Sequence, residues 1–261
     1  MTQKYIATDL DRTLIQNGTV KKEPQAYKRL QTLLKKHRIP IIFVTGRRLT
    51  LVEQALKRYP LPQPEFIICS VGTKIYQKKK RTFRLYQPYQ EKLAKEWSVD
   101  MVQKIQEMID KHSLVKPQSP INQNEFKISY FVEKKDMNVA LARIKRSLKN
   151  IPCQIVDSQD ETKGFIDILA PSATKLGAME FLRKKLKIHK KNMLYCGDSG
   201  NDLQPMLANY PSVLVKNATK ELKERVSHKK NIYVAQGTTE FSGNYTSGII
   251  EGAYHHSFFQ K

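Results

Sequence analysis

The apolar positions of this chain change period from segment to segment. KYIATDL, near the N-terminus, is a short apolar run and predicts a strand. PQAYKRLQTLLKKH carries apolar residues at helical spacing, with a proline near its start. PIIFVTG is continuously apolar, as in a strand covered on both faces of a parallel sheet. LTLVEQALKRY predicts a second helix, and EFIICSVGTKIY a strand, a glycine-containing turn and another short strand. A β-α-β-α-β order of this kind argues for a parallel sheet with right-handed crossovers.

The middle of the chain reads differently. After KKKRTF comes a helical pattern over about 90–112, then the alternating stretch FKISYFVEKK. A helix at about 136–149 and the strands IPCQIVDS and GFIDILA follow. Strands with one wet face suggest an antiparallel sheet in a smaller α+β unit. The first pattern then resumes with helix TKLGAMEFLRKKL, strand NMLYCGD, helix NDLQPMLAN, strand SVLVKN and helix TKELKERVS. The expected fold class is therefore α/β. A Rossmann-like core of residues 1–81 and 171–261, with helices flanking a parallel sheet, is interrupted by an inserted α+β cap at 82–170. A cleft between two such units is a common ligand site.

Composition narrows this picture. Apolar residues make up 40% of the 261, too many for a disordered chain. No apolar run approaches the roughly 20 residues of a membrane span, so no membrane association is expected. The N-terminus shows no secretory pattern, and Cys69, Cys153 and Cys196 are scattered. The expectation is a cytoplasmic protein with free, buried cysteines. The formal charge of +22 raises the question of a nucleic-acid or other polyanionic partner. Of the 46 basic residues 12 are arginine, and the lysines are spread along the whole chain with no basic arm and no interleaved aromatics. That pattern favours a lysine-rich solvated surface over a nucleic-acid site. A monomer is the working expectation.

Candidate chemistry lies where the strands end. In TDLDRTL, Asp9 and Asp11 stand one residue apart, with Thr13 following. Two carboxylates that close raise each other's pKa unless a cation or a proton-transfer task compensates. A hard divalent cation such as Mg2+ would do so; a solvated turn is the ordinary alternative. Open parallel sheets bind ligands beyond the carboxyl ends of their strands. There IIFV delivers Thr45, Gly46 and Arg47. MLYC delivers Gly197, Asp198, Ser199, Gly200, Asn201 and Asp202. Lys175 begins the helix that returns from the insertion. Singly, Asp198 is explained as a turn residue, Thr45 as a helix cap and Lys175 as a surface lysine. Their convergence at strand ends is what argues for a site.

DLDRT, VTGR, a lone lysine after the insertion and GDSGND resemble the four motifs of the haloacid-dehalogenase-like phosphohydrolases, with the insertion placed as in the C2-type cap subgroup. SVGTKIY (70–76), KPQSPINQNEFKISY (116–130), GFIDILAPSATK (164–175) and SVLVKNATKEL (212–222) are similar to segments of the sucrose-phosphate phosphatase family. The likeness spans most of the chain. It implies that Asp9 is the nucleophile, forming an aspartyl-phosphate, and that Asp11 is the general acid and base. It implies Mg2+ held by Asp9, the Asp11 carbonyl and Asp198, with Asp202 orienting a metal-bound water or Lys175. Thr45, Lys175 and Asn201 would bind phosphoryl oxygens, with Gly46 and Gly200 allowing close approach. Arg47 would contact phosphate or pin a loop. Arg12 departs from the superfamily, which more often has Gly or Asn there; its side chain is expected to point away from Asp9 and Asp11.

The cap would recognise the leaving group. Gln118, Ser119, Asn122, Gln123, Asn124 and Ser129, with Lys116 and Lys127, supply the neutral donors and acceptors that sugars need; a polar loop on a wet sheet is the plain alternative. Gln118 and Lys127 are the cap residues expected to bind substrate. The implied activity is hydrolysis of a sugar phosphate, sucrose 6-phosphate or a similar glycoside phosphate. A phosphatase for another phosphorylated sugar or aminosugar, a phosphomutase and a polyanion-binding protein on the same core are the alternatives.

Overall fold

The computed structural model describes residues 3–159 and 162–260. Residues 1, 2, 160, 161 and 261, which the expected core and cap ranges also include, lie outside the described residues. The chain runs β1 (Tyr5–Thr8), α1 (Gln25–Lys36), β2 (Ile41–Val44), α2 (Leu49–Arg58), β3 (Phe66–Cys69), β4 (Lys74–Lys79) and β5 (Thr82–Leu85). The next elements are α3 (Gln87–Ala94), α4 (Val99–Ile109), β6 (Val115–Pro117), β7 (Lys127–Val132), α5 (Met137–Ser147), β8 (Gln154–Gln159) and β9 (Gly164–Leu169). It ends with α6 (Lys175–Lys185), β10 (Met193–Gly197), α7 (Leu203–Leu207), β11 (Ser212–Leu214), α8 (Lys220–Val226), β12 (Ile232–Val234) and α9 (Tyr245–His255).

The larger sheet has the order β12-β11-β10-β1-β2-β3-β4-β5. The six strands from β12 to β3 are parallel, and β4 and β5 close the edge as antiparallel hairpins. Every residue of β1, β2, β3 and β10 is buried, as the continuous apolar runs require. Register fixes what meets at their ends. Thr8 pairs with Cys196 on one side and Phe43 on the other. The residues that follow each strand therefore leave the sheet side by side: Asp9, then Gly197 and Asp198, then Val44 and Thr45.

The smaller sheet is antiparallel with order β6-β7-β9-β8. Its β7 and β9 bury Ile128, Tyr130, Val132, Ile166 and Ile168, and α4 and α5 bury Ile105, Ile109, Ala140 and Ile144. Three details differ from the sequence expectation. Residues 82–85 were expected in the cap, but β5 pairs with β4 in the core sheet. The helix expected over 90–112 is two helices, because the Ser98 hydroxyl accepts from Met101 N–H and starts α4 afresh. Tyr89 of α3 packs on Phe181 of α6, with ring centroids 5.0 Å apart, so α3 too belongs against the core. Third, β12 and α9 had no sequence signal. In α9 the run Thr246–Ser247–Gly248 and Gly252 are poor helix formers; the helix is stabilised by burial from Tyr245 to Ala253.

One glycine couples the two ends of the insertion. Gly72 has φ of 109°, and a Cβ there would lie 2.1 Å from the Thr174 carbonyl carbon and 2.5 Å from the Lys175 nitrogen. Its carbonyl accepts from the Tyr89 hydroxyl at 2.7 Å. The β3–β4 turn thus touches the backbone that launches α6. Gly72→Ala should destabilise the fold by ~2 kcal/mol or more, combining backbone strain with displacement of Thr174. A urea unfolding midpoint equal to wild type would show that the turn can yield without cost.

Candidate active site

Four segments meet at the carboxyl ends of β1, β2 and β10. Lys175, the first residue of α6, is buried, and its three N–H donors are all used. Nζ donates to Asp9 Oδ1 at 2.8 Å, to Asp202 Oδ1 at 2.8 Å and to Asn201 Oδ1 at 2.9 Å. Burial works against its charge, but Asp202 and Asp9 more than offset this, and its pKa is raised. Asp9 is also buried. Desolvation pushes its carboxyl well above the usual range; Lys175 opposes the shift, and Asp202 and Asp198 add to it.

Asp202 accepts from donors on both oxygens. Oδ1 takes Lys175 and the Tyr195 hydroxyl at 2.5 Å. Oδ2 takes the backbone N–H groups of Asp198 at 3.0 Å and Ser199 at 3.2 Å. Asp198 differs. Its Oδ1 accepts from Thr13 at 3.1 Å, while its buried Oδ2 has no hydrogen-bond donor. Burial first, then Asp202, raise its carboxyl pKa to about 7, with Arg12 pulling the other way. Asp9, Asp198 and Asp202 place ligand atoms within 4.8 Å of one another. Both Asp202 oxygens already accept N–H and O–H donors, whereas among the described residues none is hydrogen-bonded to Asp198 Oδ2.

Other candidates fall around this cluster. Asp11 is forked by Arg47, with Nε to Oδ2 at 2.7 Å and Nη2 to Oδ1 at 2.5 Å, and Asn17 Nδ2 adds a third bond at 2.6 Å. Arg47 is thereby held on Asp11. The Thr45 hydroxyl accepts from Arg47 N–H, which fixes the tight turn after β2. Arg12 pairs with neither Asp9 nor Asp11, but its Nε lies 3.5 Å from Asp198 Oδ2. Its backbone has φ of 57°.

A cavity of about 330 Å³ opens between these strand ends and the cap. Gly46, Arg47 and Asn201 line it from the core, and Gln118, Asn122, Asn124 and Lys127 from the cap. Lys127 is not a free surface amine. It is buried, with Nζ 2.5 Å from Ser129 Oγ and 3.3 Å from Asp167 Oδ1. Gln123 braces the loop, bonding the Gln118 and Ser129 carbonyls and the Ser129 N–H. Ser119 and Lys116 are exposed and do not line the cavity. Asp167, Arg48 and Lys74 line it and were not anticipated, nor was Tyr195 at the core cluster. Asp167 left a legible trace: it is the one carboxylate in the apolar strand GFIDIL.

The family model for Sucrose-6F-phosphate phosphohydrolase matches residues 2–257. The chain belongs to this family. It is 31% identical to a HAD-like hydrolase of Nitrosococcus oceani over 98% of this chain and 72% of that protein. It is 30% identical to mannosylfructose-phosphate phosphatase of Agrobacterium fabrum over 97% of this chain and 96% of that one. Tobacco sucrose-phosphatase 1 is 30% identical over 82% of this chain, which spans 50% of that enzyme's length. The sucrose-phosphatase of Synechocystis sp. PCC6803, solved with sucrose and phosphate, superposes with a TM-score of 0.82 at 28% identity over the whole of both chains. The protein is thus a phosphatase of the haloacid-dehalogenase-like superfamily with a sugar phosphate as substrate. Among the described residues, no helix is long and apolar enough to cross a membrane.

The charge balance makes Lys175 a structural requirement as well as a site residue. Replacing it by Met strands Asp9 and Asp202 without their cation. In chelator, Lys175→Met should lose ~3–5 kcal/mol of unfolding free energy. Adding Asp202→Asn should recover part of that loss. Urea denaturation of the three proteins checks this, and a single mutant as stable as wild type would contradict the assignment.

Proposed function

We propose that the protein hydrolyses a phosphorylated glycoside, with sucrose 6-phosphate as the reference member of the class, through an aspartyl-phosphate on Asp9 and with Mg2+. The observation that carries this reading is the buried Asp9–Lys175–Asp202 cluster joined through Asn201, which Lys175 bonds, to an amide-lined cavity. A phosphoryl group seated at the strand ends would leave its alcohol in that cavity, whose volume suits a sugar.

The donor set fits a hard divalent cation. It is all oxygen, Asp198 Oδ2 is buried without a donor, and burial and mutual repulsion oppose the charges of Asp9 and Asp198. Asp9, Asp198 and the Asp11 backbone carbonyl would hold Mg2+. Bound there, it would supply positive charge to offset the negative charge of the nucleophile and the phosphoryl group.

The remaining chemistry belongs to the chain. Lys175 fixes Asp9 through Oδ1 and donates positive charge beside the transferring group. Asn201 faces the cavity, so its bond to Lys175 is the one that a phosphoryl oxygen would replace. Asp9 attacks phosphorus, the bond from phosphorus to the sugar oxygen breaks, and Asp11 gives that oxygen a proton. Asp11 then takes a proton from water, which attacks phosphorus, releases phosphate and restores Asp9. Arg47 positions Asp11 for both transfers. Thr45 and the Gly46 backbone face the phosphoryl oxygens. Gln118 and Lys127 contribute to the leaving-group side, Lys127 together with Asp167.

Two tests bear on this. Asp9→Asn removes the nucleophile but keeps the shape, so phosphate release from sugar phosphates should fall below detection while the thermal melt stays cooperative. Appreciable turnover by a folded Asp9→Asn protein would sink the mechanism. Separately, EDTA should stop activity, Mg2+ should restore it and Ca2+ should inhibit. Ca2+ accepts more ligands and binds carboxylates bidentately, which misplaces Asp9 for attack. Full activity in chelator would contradict a cation at Asp9 and Asp198.

A further inference from the structure

The charges around the cavity do not balance. Four cationic side chains line it, Arg47, Arg48, Lys74 and Lys127, against the single carboxylate of Asp167. Three of the four are paired: Arg47 with Asp11 at 2.5 Å, Lys74 with Glu125 at 3.2 Å and Lys127 with Asp167 at 3.3 Å. Arg48 has no carboxylate partner among the described residues. Its two side-chain acceptors are neutral, Thr50 Oγ1 at 2.9 Å and Asn122 Oδ1 at 3.4 Å. The first turn of α2, which Arg48 precedes, contains no acid either.

The guanidinium is nevertheless held in place. Nε is tied to Thr50, the second residue of α2, and Nη1 reaches the cap at Asn122. The fork therefore sits on the leaving-group side of the cavity. The phosphoryl group has its own partners at the strand ends, Lys175, Thr45 and Asn201. A partly desolvated, fixed guanidinium with unused donors is matched best by a carboxylate, which can accept two parallel N–H bonds. Bonds to an ionised acceptor are roughly twice as strong as those to a neutral hydroxyl.

We infer that Arg48 binds a carboxylate on the leaving group, so that the substrate is a phosphorylated glycoside carrying an acidic substituent. This narrows the substrate class of the proposed phosphatase and rests on that reading of the cavity.

A matched pair of substrates tests it: glucosylglycerol phosphate and its glucosylglycerate counterpart, in which one CH2OH is a carboxylate. Phosphate release with Mg2+ is measured for wild type, Arg48→Gln and Arg48→Lys, with a small aryl phosphate as reference. Wild type should favour the carboxylate substrate about tenfold or more in kcat/KM. Arg48→Gln should reduce that ratio by a similar factor, chiefly through KM. Arg48→Lys, which keeps the charge and loses the fork, should fall between.

Equal use of both glycosides by wild type, or a preference for the neutral one, overturns the inference; this holds even if Arg48→Gln does not fold. Equal losses in Arg48→Gln on both glycosides and on the aryl phosphate overturn it too, since Arg48 would then serve the phosphoryl group. If none of the compounds releases phosphate, the aryl ester included, the phosphatase reading fails as well. Turnover of the aryl ester without selectivity overturns only the carboxylate assignment.

Discussion

The site depends on one buried ammonium group. Lys175 touches Asp9, Asp202 and Asn201 at once, and without it two carboxylates would share a water-poor volume. Coulomb attraction at low effective dielectric makes this arrangement possible, and the same low dielectric makes it costly to disturb. The lysine cannot do this alone. Tyr195 and two backbone N–H groups complete the shell of Asp202, which leaves Asp202 a fixed anchor. The amine is thereby aimed at Asp9, whose position follows from β1 being clamped between β10 and β2.

The cap is joined to this core by contacts that also shape the cavity. Gly72 lets the β3–β4 turn lie against Thr174 and Lys175. Asn124 of the cap donates to Thr73 beside it at 2.9 Å, and Lys74 pairs with Glu125. Ser70 and Val71, just before, both line the cavity with positive φ, a conformation that a β-branched residue such as Val71 rarely adopts. Strain of this kind persists where surrounding structure holds it, and here it brings a core turn to the leaving-group pocket. Phosphoryl chemistry and leaving-group recognition are therefore supported by adjoining backbone.

Much of this was legible in the order of residues. Fully apolar runs marked β1, β2, β3 and β10, because a strand covered on both faces has no reason to alternate. Polar residues directly after those runs marked the chemistry, because a parallel sheet presents its carboxyl ends to ligand. What escaped was set by packing. Helix α9 is stabilised by burial from Tyr245 to Ala253 despite weak helix formers, and β12 is three residues at a sheet edge. The boundary near residue 82 was placed too early because a β-hairpin carries no label saying which sheet it joins.

By itself, the sequence determined the α/β class, the inserted cap, and which carboxylates, lysine and hydroxyl gather at the strand ends. Strand periodicity and motif spacing are local properties of the chain, and they survive without coordinates. The tertiary structure alone decided the partnerships. It gave Asp202 to donors and left Asp198 Oδ2 without one, turned Arg47 onto Asp11, and sank Lys127 against Asp167 and Ser129. It also left Arg48, beside the cap, without a counter-ion among the described residues. Such pairings depend on distances and burial between residues far apart in the chain. A charge is satisfied or unsatisfied only once the fold has chosen its neighbours.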